Sequence, residues 1–220
     1  MQSSIPKQYL PLAGKTVLQV SLEKLQRLQC LAGCVVAISA DDVYFDQYCP
    51  FLPRIVRVEG GSERATSVLS GLQYLMNNGC EQDWVLVHDA ARPCVKSENL
   101  QRLVDEVLKT GVGGILAVPV ADTLKTVSDG IVQSTLDRLA IWQAHTPQMF
   151  RVGELYFAIE QALAQRLVIT DESSAMELAG YSPQVICDSR DNIKITQAED
   201  LALAEWILQQ QINTGSYQCE

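Results

Sequence analysis

Histidines and paired cysteines are nearly absent from the sequence, which removes the usual ligands of a zinc site. The 220 residues include two histidines, and the seven cysteines are scattered without any Cys-x-x-Cys spacing. An odd number of cysteines in this arrangement does not predict a disulfide framework either. We therefore expect reduced thiols that are mostly buried and take no part in the chemistry.

Long apolar runs and an excess of positive charge are also lacking. The longest apolar stretches, such as Cys34–Ile38 and Ile115–Val118, fall far short of the roughly 20 residues that a membrane helix needs. The net charge of -9 argues against broad binding to nucleic acid or to an anionic membrane, since both need a basic face. Any phosphate ligand must then be held by a local basic cluster.

Export signals and low-complexity tracts are missing as well. The first seven residues, MQSSIPK, contain no basic stretch followed by an apolar run, so the expected location is cytoplasmic. No charge run and no tract rich in Pro, Gly or Ser interrupts the chain. With 47% hydrophobic residues, the sequence predicts one globular domain over residues 1–220.

What the sequence does contain is an alternation of short β-branched runs with longer amphipathic segments. This pattern is typical of βαβ units, so we predict an α/β fold with a mostly parallel sheet and helices on both faces. The predicted strands are Cys34–Ile38, Arg54–Val58, Trp84–His88, Gly114–Val118 and Gln184–Cys187. The predicted helices are Thr16–Leu28, Glu63–Met76, Leu100–Leu108, Val152–Ala164, Asp171–Leu178 and a last helix that opens on a capping box, Thr196-Gln-Ala-Glu199, and runs to about Gln211.

The pattern changes between residues 122 and 150. Two alternating runs, Leu124–Val127 and Ile131–Ser134, flank Ser128-Asp129-Gly130, which is a turn signal. The sequence therefore predicts a β-hairpin inserted between α/β units. Such a hairpin can project as an arm, and projecting arms commonly clasp a second subunit.

The segment Val87–Pro93 is the first candidate for chemistry. Ligands of open α/β sheets lie beyond the carboxyl ends of the strands, and here Asp89 and Arg92 follow a very hydrophobic strand. Asp89 can bind a metal or ribose hydroxyls, and Arg92 can grip a phosphate. The alternative is a mutual salt bridge that only closes the turn, but the small alanines between the two leave room for a ligand.

Three further segments combine turns with polar side chains. Gly60-Gly61 follows a strand at the start of a helix, where backbone N–H groups favour an anion or a nucleotide edge; an ordinary strand-to-helix turn is the alternative. Lys194 lies between Ile193 and Ile195 and so faces away from two apolar neighbours, although it could also be a solvated surface charge. Thr170-Asp-Glu172 reads by itself as a helix cap.

Together these segments resemble the bacterial and plastid 2-C-methyl-D-erythritol 4-phosphate cytidylyltransferases of the non-mevalonate isoprenoid route. Any one motif is weak, but their order along nearly the whole chain is specific. They are Pro6-Lys7-Gln8-Tyr9, Gly60-Gly61 with Glu63-Arg64 and Ser67-Val68, Val87 to Pro93, Asp122-Thr123-Leu124-Lys125, Asp137-Arg138 with Trp142, Thr146-Pro147-Gln148, Thr170-Asp171-Glu172, Asp191 to Thr196, and Glu199-Asp200-Leu201.

The resemblance implies a Rossmann-like nucleotidyltransferase fold, and CTP with Mg²⁺ or another divalent cation as requirements. It implies transfer of CMP to methylerythritol phosphate, with pyrophosphate and a CDP-linked polyol as products. By motif match, Lys7 and Lys194 neutralise charge around the α-phosphate, as phosphoryl transfer requires. Gly61 and Ser67 contact the cytosine side of CTP, and Asp89 the polyol or metal region.

On the acceptor side, the resemblance implies substrate contacts by Arg92 and Thr146. It also implies a homodimer clasped by the hairpin arm, with Thr123 and Arg138 reaching the methylerythritol phosphate bound by the partner subunit. No nucleophilic side chain is needed, because the substrate phosphate itself attacks. His88 and His145 are accordingly predicted to serve packing or hydrogen bonding.

The sequence departs from the family pattern at its start. The family's first strand and glycine-rich loop have no counterpart here, and Met1 falls where the final methionine of the loop would stand. We expect the natural chain to start upstream, two strands of the sheet to lack a partner between them, and a chain without the loop to bind CTP weakly and to have low stability. Two alternatives stay open, a ribitol 5-phosphate cytidylyltransferase and an inactive nucleotide-binding subunit.

Overall fold

The computed structural model describes residues 5–49 and 54–213; Met1 and Cys219 lie outside this part of the chain. It is an α/β structure. The strands are β1 Pro11–Leu12, β2 Lys15–Thr16, β3 Cys34–Ile38, β4 Ile55–Glu59, β5 Trp84–Val87, β6 Gly114–Pro119, β7 Lys125–Ser128, β8 Ile131–Thr135, β9 Trp142–Arg151 and β10 Gln184–Cys187. The helices are α1 Val17–Gln26, α2 Phe45–Tyr48, α3 Arg64–Asn77, α4 Ser97–Thr110, α5 Val152–Ala164, α6 Glu172–Leu178 and α7 Glu199–Asn213, and Lys7–Tyr9 form a 3₁₀ turn.

The main sheet has four strands in the order β10-β6-β9-β5 and is mixed, not mostly parallel. β10 runs parallel to β6, whereas β9 runs antiparallel to both β6 and β5. The sequence prediction missed β9 because Pro147 and polar residues interrupt it, and proline argues against a central strand. Pro147 lies at a register irregularity, where Ile115 pairs with Gln148 and Ala117 with Ala144.

Helices cover both faces of this sheet, as predicted. The period-two alternation along β6 sends Ile115 and Ala117 into a core with α3, α5 and α6. Leu116 points the other way, into a second core with α4. On β9, Phe150 lies in the first core and Met149 in the second. The sheet is therefore buried on both sides, which explains its near-continuous apolar strands.

The strands β3 and β4 form a separate parallel pair. In the described part of the chain, no strand pairing joins this pair to the four-stranded sheet. This agrees with the expectation that two strands lack a partner between them. The end of β3 and the loop after β5 instead face each other across a cavity.

The predicted hairpin is present as β7 and β8, which pair antiparallel. Asp129 and Gly130 have φ of 51° and 78° at the turn, the left-handed region that tight hairpins require. The projecting hairpin is shorter than the 122–150 segment, because residues 142–150 belong to β9 in the central sheet.

Helix caps were predicted less well. Residues 196–198 precede α7, so the predicted capping box at Thr196 is wrong. Asp200 instead accepts hydrogen bonds from the backbone N–H groups of Thr196 and Gln197, both at 2.7 Å. A true capping box lies at the start of α1, where Thr16 and Gln19 exchange hydrogen bonds. Asp200 lies in the first turn of α7 and is the partner of Thr196, whereas the prediction gave that place to Glu199.

Within residues 5–49 and 54–213, no helix is long and apolar enough to cross a bilayer. The same residues hold no cluster of three or more His, Cys, Asp or Glu side chains that could bind a metal. Six of the seven cysteines fall in this range, and all six are free thiols: Cys30, Cys34, Cys49, Cys80, Cys94 and Cys187.

Candidate active site

Three of the predicted site residues line one cavity of about 490 Å³. Lys7 enters from the 3₁₀ turn, Asp89 from the loop after β5, and Lys194 from the segment before α7. Ser39 and Asp41, which follow β3, complete the opposite wall. Two cationic side chains from the two ends of the chain therefore share a cavity with three carboxylates, those of Asp41, Asp42 and Asp89, at the edge where polar residues follow the strands.

Local hydrogen bonds fix the strand ends that meet here. The backbone N–H of Asp89 donates to Oγ1 of Thr146 on β9, at 3.0 Å. The backbone N–H of Ile195 donates to the carbonyl of Ala91, at 2.8 Å, and so ties the segment of Lys194 to the loop of Asp89. Since Ile195 is fully buried, Lys194 is turned away from the core, as the alternation in the sequence predicts.

The Asp89 carboxylate is surrounded by cations. Its Oδ2 lies 2.7 Å from Nζ of Lys194, and its Oδ1 accepts from Nε of Arg64 at 2.9 Å. The Nε of Arg92 is 3.8 Å away, too far for a hydrogen bond. Burial alone would raise the pKa of Asp89, but Lys194 and Arg64 outweigh it and lower the pKa to about 2. Asp89 is therefore ionised throughout the neutral range.

Arg64 is itself held in a bidentate pair with Glu172. Its two terminal nitrogens donate to the two carboxylate oxygens at 2.7 and 2.8 Å, and the Glu172 side chain is 1% exposed. Burial lowers the pKa of Arg64, but the contacts with Glu172 and Asp89 more than reverse this and raise it. Arg64 thus links the first residue of α3 to the first residue of α6 and to the cavity.

Arg92 and Thr146 lie beside Asp89 and are held by neighbouring groups. The Nη1 of Arg92 donates to the carbonyl of Asn192 at 2.6 Å. Thr146 Oγ1 lies 3.0 Å from Nδ1 of His88, whose Nε2 lies 3.0 Å from the carbonyl of Arg92. Burial lowers the pKa of His88 to about 4, so the ring is neutral at pH 7. His88 therefore serves hydrogen bonding, as predicted.

Gly61 and Ser67 contact each other and are not among the cavity residues. The backbone N–H of Gly61 donates to Oγ of Ser67 at 3.0 Å. A Cβ at Gly61 would lie 2.1 Å from Oγ1 of Thr66, so the backbone passes too close for any larger residue. The pair is connected to the cavity through Arg64, which begins the helix that follows this turn.

Thr123 and Arg138 lie on the projecting hairpin and its base, both exposed, and neither lines the cavity. Arg138 donates to the carbonyl of Ala121 across the two ends of the hairpin. Six large apolar side chains of the same region are exposed: Val127, Ile131, Val132, Leu136, Leu139 and Trp142.

Sequence reasoning missed four polar residues that hold this site together, namely Arg64, Glu172, Asp188 and Asn192. Arg64 appeared only inside a motif and Glu172 only within a helix cap; the cap itself is confirmed, since Asp171 accepts from the N–H of Ser174. The signal for Arg64 was its place three residues after the glycine pair, near the start of a predicted helix. Asn192 appeared only inside the motif Asp191 to Thr196, and nothing in the sequence marked Asp188 except that it follows a strand.

Comparison with known proteins gives one consistent family. The family model described as 2-C-methyl-D-erythritol 4-phosphate cytidylyltransferase matches residues 1–210. The chain is 47% identical over 211 residues to the protein of that name from Aliivibrio fischeri (strain MJ11), which covers 95% of this chain and 88% of the relative. The corresponding protein of Pseudomonas fluorescens (strain SBW25) is 50% identical over 210 residues, covering 94% and 88%.

Solved structures agree with the sequence comparisons. A crystal structure of a 4-diphosphocytidyl-2C-methyl-D-erythritol synthase superposes with a TM-score of 0.84 at 40% identity, covering 92% of this chain and 95% of the other. The 2-C-methyl-D-erythritol 4-phosphate cytidylyltransferase of Francisella tularensis gives 0.82 at 39% identity, with 93% and 94% covered.

Proposed function

This chain belongs to the 2-C-methyl-D-erythritol 4-phosphate cytidylyltransferase family, and we propose from that premise how its residues transfer CMP from CTP to 2-C-methyl-D-erythritol 4-phosphate. The products are pyrophosphate and the CDP-linked methylerythritol. The observation that carries the assignment of roles is the shared cavity of Lys7, Asp89 and Lys194. We expect the reaction in the cytoplasm.

The reaction joins two phosphates. An oxygen of the methylerythritol phosphate attacks the α-phosphorus of CTP, and the bond between that phosphorus and the bridging oxygen to the β-phosphate breaks. Pyrophosphate leaves with the bonding electrons. No side chain has to form a covalent bond, so the protein acts by placing two anions together and by stabilising the charge that builds up at the α-phosphate.

Lys7 and Lys194 are the residues placed to supply that charge. Both reach the same cavity, and the Lys194 side chain is 40% exposed, which leaves its ammonium accessible to a ligand. In the present structure Asp89 holds Nζ of Lys194 at 2.7 Å. An α-phosphate can replace or share this contact. Asp89 thereby orients the lysine before the substrate arrives.

A divalent cation fits this donor set. Mg²⁺ in enzymes of phosphate chemistry is commonly held by one or two carboxylates together with substrate phosphates. Asp89 is an ionised carboxylate in the cavity and would hold the ion with the phosphates of CTP. Mg²⁺ supplies charge neutralisation to the triphosphate. On the nucleotide side, Gly61 and Ser67 hold the cytosine end, and their close turn excludes larger groups.

The acceptor is bound by Arg92 and Thr146 beside Asp89, and by Thr123 and Arg138 from the arm of a second subunit. The six exposed apolar side chains around the hairpin support this homodimer, because a patch of this kind is unusual on a monomer. The two polar residues on the same segment do not line the cavity of their own chain. An arm crossing to the partner accounts for both observations.

Pyrophosphate release tests the reaction and its acceptor. The protein is given CTP and Mg²⁺ with either methylerythritol phosphate or ribitol 5-phosphate, and we expect turnover with the first. Lys194→Ala is expected to lower the rate by roughly 100-fold or more, as for other lost charge-stabilising groups. Lys109→Ala, an exposed lysine on α4, is the matched control. Turnover with ribitol 5-phosphate alone would overturn the acceptor, and an undiminished rate in Lys194→Ala would overturn the role of that residue.

Subunit complementation tests the arm. Lys194→Ala and Arg138→Ala are each expected to be inactive, but a mixed dimer of the two has one site with both wild-type residues. After mixing and exchange, about a quarter of the wild-type activity should therefore return. Activity that stays at the sum of the separate variants would show that each site is built from one chain. Leu139→Asp should in turn yield monomers in sedimentation velocity.

A further inference from the structure

A buried hydrogen-bonded cluster lies in the loop after β10, next to the site but outside the cavity. Its centre is the pair Asp188 and Asn192. The Asp188 side chain and the whole of Asn192 are each 0% exposed. Neither residue is given a role by the reaction described above, and neither can touch the substrates without a rearrangement of the loop.

Asn192 contacts the residues assigned to the acceptor and the α-phosphate. Its Nδ2 donates to the backbone carbonyl of Thr146 at 2.9 Å. The backbone carbonyl of Asn192 accepts from Nη1 of Arg92 at 2.6 Å. Lys194 follows two residues later in the same segment. One residue is therefore connected to three site residues that come from β9, from the loop after β5 and from the approach to α7.

Asp188 fixes the orientation of the Asn192 amide. Its Oδ2 accepts from Nδ2 of Asn192 at 2.7 Å and lies 2.8 Å from Nδ1 of His145, and its Oδ1 accepts from Nδ2 of Asn99 at 2.7 Å. Burial would raise the pKa of Asp188, but these donors and the Ser189 backbone outweigh it and lower the pKa. An ionised carboxylate can only accept, so it fixes which end of the amide faces it.

The other end of the amide is unused. Asn192 Oδ1 and Arg92 Nε are buried and have no hydrogen-bond partner among residues 5–49 and 54–213. Buried polar atoms are nearly always paired, and the described hydrogen bonds of this side chain are both made by Nδ2. What this position uses is the donor Nδ2, which bridges Asp188 and Thr146.

We propose that Asn192 is a positioning residue that sets the places of Arg92, Thr146 and Lys194 relative to one another, with Asp188 holding it in orientation. The inference rests on the proposed function, since those three residues are its targets. A displacement of about 1 Å at a reacting centre can lower a rate by roughly 100-fold. Loosening the loop that carries Asn192 should therefore lower mainly the rate of the chemical step.

The test compares Asn192→Ala with Asn99→Ala. Asn99 is also buried and also donates to Asp188, but at the other carboxylate oxygen and without contact to the three targets. Both variants lose a buried hydrogen bond to the same carboxylate, and Asn192→Ala also loses the one to Thr146, so both should melt at lower temperature, Asn192→Ala by more. Well below both melting temperatures, Asn192→Ala is expected to lower kcat about 10- to 100-fold with a small change in the KM for CTP, whereas Asn99→Ala stays within about threefold of wild type.

Asn192→Ser keeps a donor hydroxyl at the same position. It should recover part of the lost kcat, and it serves as the test if Asn192→Ala does not fold. The inference is overturned if the Asn192 variants keep the wild-type kcat, or if Asn99→Ala lowers kcat by as much. Lys194→Ala separates this failure from failure of the proposed function. An inactive Lys194→Ala beside a fully active Asn192→Ala refutes the positioning role alone, and a fully active Lys194→Ala refutes both.

Discussion

Asp89 makes the unfolding free energy of the protein depend on pH, because its pKa differs between the folded and the unfolded chain. Its folded-state pKa of about 2 compares with an ordinary value of 3.8. With about 1.4 kcal/mol for each tenfold change in proton affinity, the ionised carboxylate contributes roughly 2 kcal/mol to stability at pH 6. Because the folded pKa is the lower one, this contribution is present above pH 3.8 and is lost as the pH falls towards 2. At pH 3 about half of it remains.

Asp89→Asn removes the titrating group and should remove this dependence. The unfolding free energy of the variant is measured by urea denaturation at pH 6 and at pH 3, at constant ionic strength, and is compared with that of wild type. We expect the gap between the two proteins to shrink by about 1 kcal/mol at the lower pH. A gap of the same size at both values would refute the reasoning, because it would mean that Asp89 titrates alike in the folded and unfolded chains.

Lys194→Met provides the matching background. Lys194 gives the largest of the effects that lower the pKa of Asp89, ahead of those of Arg64. In a protein that already carries Lys194→Met, Asp89→Asn should therefore lower the unfolding free energy by less than in wild type. This smaller difference should also depend less on pH. If Asp89→Asn changes the unfolding free energy by as much in the Lys194→Met protein as in wild type, Arg64 alone sets the proton affinity of Asp89.

Two further predictions concern the turn and the thiols. Gly61→Ala forces a Cβ to within 2.1 Å of Thr66, so it should cost about 1–3 kcal/mol of unfolding free energy and weaken CTP binding in calorimetry. Gly71→Ala is the control, because a Cβ at this position in α3 meets only ordinary contacts. It should be neutral or stabilising by up to about 1 kcal/mol. Burial raises the pKa of Cys94 to about 12, so iodoacetamide should alkylate exposed Cys30 in the native protein long before Cys94, and mass spectrometry that found equal rates would contradict the described packing.

Much of the fold could be predicted from the sequence because local rules decide it. The strands Cys34–Ile38 and Gln184–Cys187 and the helix Val152–Ala164 have the same bounds in the structure as in the prediction. The hairpin turn at Asp129-Gly130 follows from the need for positive φ at both positions. In these segments apolar period and turn chemistry agree, and no tertiary contact has to override them.

What the sequence could not supply were features fixed by distant partners. β9 carries a proline and polar residues that look like loop, yet pairing with two neighbouring strands makes it central. The turn before α7 is closed by Asp200, not by the motif that begins at Thr196. For the site, residue types identified the charged groups at the cavity. The bidentate hold of Glu172 on Arg64 joins residues 108 positions apart, and no local pattern reveals such a pair.

The bulge in β9 has a consequence for how this enzyme can change over evolutionary time. Opposite the single residue Leu116, the ladder skips residues 145–147, and Thr146, which accepts from the backbone N–H of Asp89, lies in that gap. Deleting two residues here would make the pairing of β6 and β9 regular. It would also withdraw Thr146 from Asp89. The contacts of Asp89 therefore depend on an irregular strand pairing, and we expect changes in chain length over evolutionary time to fall elsewhere in the molecule.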